Sequence, residues 1–223
     1  KEEVEKLMGG GLADMVFTDP PYGVDYVGKT KDKLKIDNDA KGDAEFLEWL
    51  KLVHIRMREV TKSGASAYVC HADSKGRFFR EAFEEFGEVR QCIIWVKNHF
   101  VMGRQDYQWQ HEPILYGWAD GASHTFYAGR NEVTTWFIDR PGASKEHPTM
   151  KPLGLSARAL MNSSKGDDII LDLFAGSGST LMSCEQMGRA CRTMELSPKY
   201  CDVVVARWEK WTNQKAHKLE ASQ

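Results

Sequence analysis

The sequence lacks several features, and each absence narrows the answer. No apolar run approaches the roughly 18–20 residues that a membrane-crossing helix needs, so no such helix is predicted. The five cysteines (70, 92, 184, 191 and 201) are odd in number, and no two have Cys-x-x-Cys spacing. Such a set reads as reduced thiols of a cytoplasmic protein, not as a disulfide framework or a zinc site. No secretory leader pattern, internal repeat or low-complexity tract is visible. Charge of one sign is also lacking. Lys and Arg number 30 against 32 Asp and Glu, for a net charge of −2, which argues against a uniformly basic nucleic-acid binder but leaves local basic patches open. The chain opens without Met on a segment, 1–8, that reads as a helix already under way, so it is expected to belong to a longer polypeptide.

What is present suits a folded domain. The 223 residues are 42% hydrophobic and 28% charged, the balance of an ordinary globular protein. The expectation is one domain over residues 1–212, with a polar tail over 213–223. Short apolar runs at 14–18, 65–70, 90–96, 112–117, 169–173 and 190–195 read as strands, several of them buried on both faces. Helical stripes lie between them: Phe46, Leu47, Leu50, Val53, Met57 and Val60; then Phe78, Phe79, Ala82 and Phe86; then Tyr200, Val204, Trp208 and Trp211. Ser197 and Pro198 suit the cap and first turn of the last helix. Strands alternating with helices predict an α/β fold, a mostly parallel sheet with helices on both faces. Two stretches interrupt that rhythm. Residues 23–42 are polar and Lys-rich, and residues 97–147 are rich in glycine and aromatics and read as inserted functional loops.

Two motifs carry chemistry. In DLFAGSGST (172–180) a strand runs into Gly176-Ser-Gly178, and a helix begins near Thr180. The glycines permit a tight turn and close approach of a ligand to the backbone, and the helix start offers free N–H groups. Glu195, at the end of the next strand, is placed to accept hydrogen bonds from ribose hydroxyls. Neither the nucleoside-triphosphate loop nor the full dinucleotide fingerprint is present, which tilts the reading towards S-adenosylmethionine. The second motif, TDPPYG (18–23), follows the strand 14–18. Pro20 and Pro21 fix the backbone and keep their carbonyls as acceptors, Asp19 adds a carboxylate, and Tyr22 adds a flat ring. Together they suit a planar ligand bearing an amino group; a rigid turn capping a strand is the plainer alternative.

TDPPY followed by DLFAGSGST resembles the DNA amino-methyltransferases, and the order of the two motifs resembles the β-class, a circular permutation of the Rossmann-like methyltransferase sheet. HPTMKP (147–152), WVKN (95–98) and HEPILYG (111–117) are similar to other family segments, so the resemblance covers essentially the whole chain. The opening residues more loosely resemble methylase domains of phage-type fusion proteins. The resemblance implies methyl transfer from S-adenosylmethionine to N6 of a flipped-out adenine in double-stranded DNA, by a restriction-modification enzyme or an orphan methylase, without a metal. It assigns Asp19, Pro20, Pro21 and Tyr22 to the target base. Asp172, Phe174, Gly176, Gly178, Glu195, Thr149 and Lys151 go to the cofactor. Lys29, Lys31, Lys33, Lys97, Arg104 and Gln108 are the expected DNA contacts, with Lys35 in the same basic loop as Lys31 and Lys33. His54 reads as structural. His71 and Asp73 are placed either at the pocket or at a helix start.

Two departures stand out. The chain begins after the point where β-class members carry a further strand ending in an acid. Only residues 118–146 remain for target recognition, which leaves a homodimer or a second subunit open as a source of specificity. N4 of cytosine, RNA or amide methylation, and a binding module without turnover remain the alternatives.

Overall fold

The computed structural model describes residues 1–23, 42–140 and 150–219. In chain order the elements are α1 (Glu2–Met8), β1 (Ala13–Thr18), α2 (Asp43–Glu59), β2 (Thr61–Cys70), α3 (Gly76–Phe83), β3 (Gly87–Val101), β4 (Trp109–Ala119), β5 (Thr135–Phe137), α4 (Leu153–Ser163), β6 (Ile169–Asp172), α5 (Ser179–Met187), β7 (Ala190–Thr193) and α6 (Pro198–Thr212). The strands form one seven-stranded sheet in the order β5-β3-β4-β2-β1-β6-β7. β1 pairs in parallel with both β2 and β6, β6 with β7, and β3 with β5. Only β4 runs antiparallel to its neighbours β2 and β3. The sheet is therefore mixed and mostly parallel, as the alternation of strands and helices predicted.

Each face of the sheet is covered because alternate strand residues feed separate cores. On one face Val16, Ala67, Val69 and Leu171 pack against Val4, Phe46, Leu50, Phe79 and Phe83 of α1, α2 and α3. On the other, Met15, Phe17, Tyr68 and Ile170 pack against Leu155, Ala159 and Leu160 of α4 and Cys184 of α5. His54 belongs to the first core. It is fully buried with Nδ1 2.8 Å from the Leu50 carbonyl, and burial holds its pKa down at about 4, so it is neutral and structural.

The adjacency of β1 and β6 positions the site. From β1 the sheet runs out through β2, β4, β3 and β5; from β6 it runs out through β7. In open α/β sheets ligands bind beyond the carboxyl ends of the strands at such a switch of strand order. TDPPY leaves β1 and the glycine-rich turn leaves β6, so two motifs distant in sequence become neighbours.

Three expectations need correcting. The strands read at 90–96 and 112–117 are longer than expected: β3 and β4 form an antiparallel hairpin reaching Val101 and Trp109, and β5 adds a short strand within the stretch 97–147. The polar and aromatic residues there disguise a strand pair that extends past the core. Helix α4 was not anticipated, because its Gly154, Ser156 and Asn162 weaken the helical pattern. Ser197 stands at the N-cap of α6 but makes no side-chain cap bond. Instead its backbone N–H donates to Glu195 Oε1 at 2.9 Å.

Candidate active site

Asp19 emerges directly from β1, whose last residue, Thr18, lies beside Val69 of β2. The two prolines that follow hold the chain extended and bring Tyr22 back towards Asp19. The Tyr22 hydroxyl lies 2.7 Å from Asp19 Oδ1 and 3.1 Å from Glu112 Oε2, and its single proton serves one of them at a time. Burial, then the charges of Asp19 and Glu112, push the Tyr22 phenol well up, so it stays protonated. The ring packs edge-on to Phe79, with centroids 6.2 Å apart.

Lys151 closes this corner. Its ammonium donates to Asp19 Oδ2 at 2.7 Å, to the Tyr22 hydroxyl at 2.9 Å and to Glu112 Oε2 at 3.1 Å. Burial would lower its pKa, but the carboxylates of Asp19 and Glu112 outweigh burial and push it up, so Lys151 remains a cation. Glu112 also accepts a bond from Lys97, 2.6 Å from Oε1. Burial would raise the Glu112 pKa; Lys151 and Lys97 overcome that and hold it at about 2. Two carboxylates and two ammoniums thus balance one another where water is scarce.

The cofactor side is built differently. Asp172 ends β6 and is buried, which pushes its carboxyl up to about 6. Its Oδ1 accepts the Phe174 N–H at 3.0 Å and the Thr18 hydroxyl at 2.9 Å. The Thr18 bond spans 154 residues and ties the residue before Asp19 to the start of the glycine-rich turn. Gly176 and Gly178 have φ of 53° and 78°, the left-handed region that glycine tolerates. A Cβ at Gly178 would also come within 3.0 Å of Val204 on α6. Glu195 is held by the N–H groups of Gly176 and Ser197, each at 2.9 Å, which leaves further lone pairs on both oxygens. Phe174 packs edge-on to Trp49 of α2, with centroids 5.8 Å apart.

Lys151 joins the two sides. Its backbone carbonyl accepts the Ser179 hydroxyl at 3.0 Å, at the start of α5, while its side chain reaches Asp19. Thr149, Lys29, Lys31, Lys33 and Lys35 lie outside the described residues. Lys97, expected at DNA, is buried and turned towards Glu112, so its charge is spent inside the site. Gln108 braces the hairpin turn, accepting the Gly103 N–H at 2.6 Å and donating to the Gln105 carbonyl at 2.7 Å. Arg104 is exposed in that turn. His71 is buried and stacks on Phe79 with centroids 5.2 Å apart, and Asp73 begins a single 3-10 turn. Glu112, Thr18 and Trp49 were given no role from sequence. Only Glu112 left a signal, an acid amid the apolar residues of β4.

Among the described residues no cluster of His, Cys, Asp and Glu could hold a metal ion, and no helix is long and apolar enough to cross a membrane.

Comparison with known proteins agrees with this geometry. The family model for N6 and N4 methylases, described as DNA methylase, matches residues 13–206. The chain belongs to this DNA methylase family. The family's methyl donor is S-adenosylmethionine. The DNA adenine methyltransferase YhdJ of Escherichia coli (strain K12) is 25% identical over 250 residues, covering 97% of this chain and 83% of its own. The Type II methyltransferase M.BglII of Bacillus subtilis is 24% identical over 233 residues, 85% of this chain and 62% of its own. Among solved structures, the M1.HpyAVI–SAM complex superposes with a TM-score of 0.70 at 25% identity, covering 92% of this chain and 94% of that one. The cytosine-N4-specific PvuII DNA methyltransferase superposes with a TM-score of 0.71 at 15% identity, covering 95% of this chain and 88% of that one, a likeness of fold alone.

The residues fit the methyl donor. A left-handed glycine pair, the start of α5 and a Glu195 carboxylate with spare lone pairs could hold an adenosine-bearing molecule, and Gly178 leaves room for Val204 of α6 against the turn.

Proposed function

We propose that this methylase modifies N6 of an adenine flipped out of double-stranded DNA. The observation that carries the reading is the pairing of Asp19 with the glycine-rich turn across β1 and β6, tied by the Thr18–Asp172 bond. Asp19 and the Pro20 carbonyl are the acceptors for the two N–H bonds of the exocyclic amine. Accepting both draws the nitrogen lone pair out of conjugation with the ring. Tyr22 offers its ring to the base, worth about 1–3 kcal/mol for a stacked base. Bound S-adenosylmethionine supplies an electrophilic sulfonium methyl. Phe174, Gly176 and Gly178 hold its middle, Glu195 the ribose, and Asp172 and Thr149 the amino-acid end; the Lys151 ammonium, expected there, is engaged instead by Asp19, Tyr22 and Glu112. Positioning then accounts for much of the rate. The adenine reading rests on the Asp-Pro-Pro-Tyr form of the motif, and the adenine-directed relative supports it. Exposed Arg104 is the proposed phosphate contact among the described residues.

The test uses labelled S-adenosylmethionine and DNA amplified in vitro, which carries no prior modification. After digestion, nucleosides are separated and weighed. N6-methyladenine supports the reading, N4-methylcytosine replaces the base, and no methylated nucleoside rejects DNA methylation.

A further inference from the structure

Both oxygens of Asp19 are already engaged, one by the Tyr22 hydroxyl and the other by the Lys151 ammonium, each at 2.7 Å. Each oxygen keeps a further lone pair, but an amine that approaches Asp19 along the directions now held by Tyr22 and Lys151 competes with those donors for the carboxylate. Leaving a buried ammonium or hydroxyl without an acceptor would oppose that exchange. Glu112 removes the obstacle. A single atom, Oε2, lies 3.1 Å from Lys151 Nζ and 3.1 Å from the Tyr22 hydroxyl. Both donors therefore sit beside a second acceptor before the base arrives. Lys97 holds the other oxygen, Oε1, at 2.6 Å and so aims Oε2 into the site. Both Glu112 and Lys97 belong to paired strands, with Glu112 directly opposite Trp95, so this acceptor stays put while its donors shift.

We propose that Glu112 is a positioning residue: it receives Lys151 and the Tyr22 hydroxyl as the target amine takes their places on Asp19. The inference rests on the reading of Asp19 as the acceptor of the target amine. It predicts that Glu112 acts on turnover and not on cofactor affinity. The rival account is that Glu112 merely neutralises the buried Lys97.

Glu112→Gln, Glu112→Asp and the double variant Glu112→Gln/Lys97→Met separate the two. Steady-state methyl transfer to unmodified DNA is measured for each, with thermal melting to confirm folding. On the proposal, Glu112→Gln lowers kcat by about 30-fold or more while KM for S-adenosylmethionine stays within about twofold. Glu112→Asp recovers part of the rate, and the double variant stays as slow as Glu112→Gln. If Glu112→Gln does not fold, the double variant, which removes both charges, carries the test alone. A double variant that turns over at the wild-type rate would overturn the proposal in favour of charge neutralisation, as would a folded Glu112→Gln with wild-type kcat. Wild-type protein that methylates no DNA would instead remove the reading on which the proposal stands, a result separate from both.

Discussion

At the end of β1 the site is held by side-chain charge: Asp19, Glu112, Lys97 and Lys151 come from four separate places in the chain and meet within hydrogen-bonding distance. At the end of β6 it is held by backbone. Gly176, Gly178 and the N–H groups around Glu195 lie within a 22-residue span and depend on local conformation. The first arrangement can exchange partners; the second is set by the turn itself. This division suits the two tasks. A flipped base must enter and leave an acceptor site, whereas a methyl donor needs a cradle set before it arrives.

The largest break in the comparison is expected at Asp19. Asp19→Ala removes the charged acceptor and should lower methyl transfer by about a thousandfold, read as initial rate on unmodified DNA. Gly178→Ala attacks the other side. Its positive φ and the approach to Val204 should cost about 1–3 kcal/mol of stability and weaken cofactor binding about tenfold, with DNA affinity spared. Melting temperature and calorimetric titration check both effects.

Acid should also separate the two sides. Glu112 has a folded pKa of about 2 against an ordinary 4.5. The folded state binds its proton later than the unfolded chain, so Glu112 contributes about 3 kcal/mol above pH 4.5 that is lost as pH falls towards 2. Glu112→Gln should flatten that part of the stability curve. Between pH 6.5 and 4 His54 and Asp172 oppose each other, with His71 and His124, whose pKa values burial also lowers, on the side of His54. His54, at about 4 against 6.5, loses stability as pH falls through this range. Asp172, at about 6 against 3.8, is protonated first in the folded state and gains stability over nearly the same range. A His54→Leu variant should therefore lose less stability than wild type on acidification from pH 6.5 to 4, seen by chemical unfolding at each pH. The smallest expected effect is at the hairpin. Arg104→Ala should weaken DNA binding a few-fold and reduce the salt slope by about 1, without changing cofactor affinity.

The same contrast explains what could be read without coordinates. The cradle is local, so a strand, a Gly-x-Gly turn, a helix and an acid in sequence order identify it, and the mostly parallel character of the sheet followed from the alternation of strands and helices. The charge network is not local. Asp19 and Tyr22 were legible from TDPPY, but nothing in one sequence says that Glu112, Lys97 and Lys151 converge on them. Lys97 looked like a DNA contact because a lysine beside aromatics usually faces solvent; burial in the sheet gave it a different partner. The inner parts of β3 and β4 were legible as strands at 90–96 and 112–117, but their outer extensions read as loop because they carry polar residues at positions that face no core.

The most direct test of this division is cofactor affinity in Asp19→Ala, measured by calorimetric titration with S-adenosylmethionine. Lys151 and the Thr18–Asp172 bond link the two sides, so a division of tasks that holds across those links predicts a Kd within about twofold of wild type while methyl transfer is lost. A Kd that collapses together with the rate would contradict the account and make the two motifs one cooperative unit.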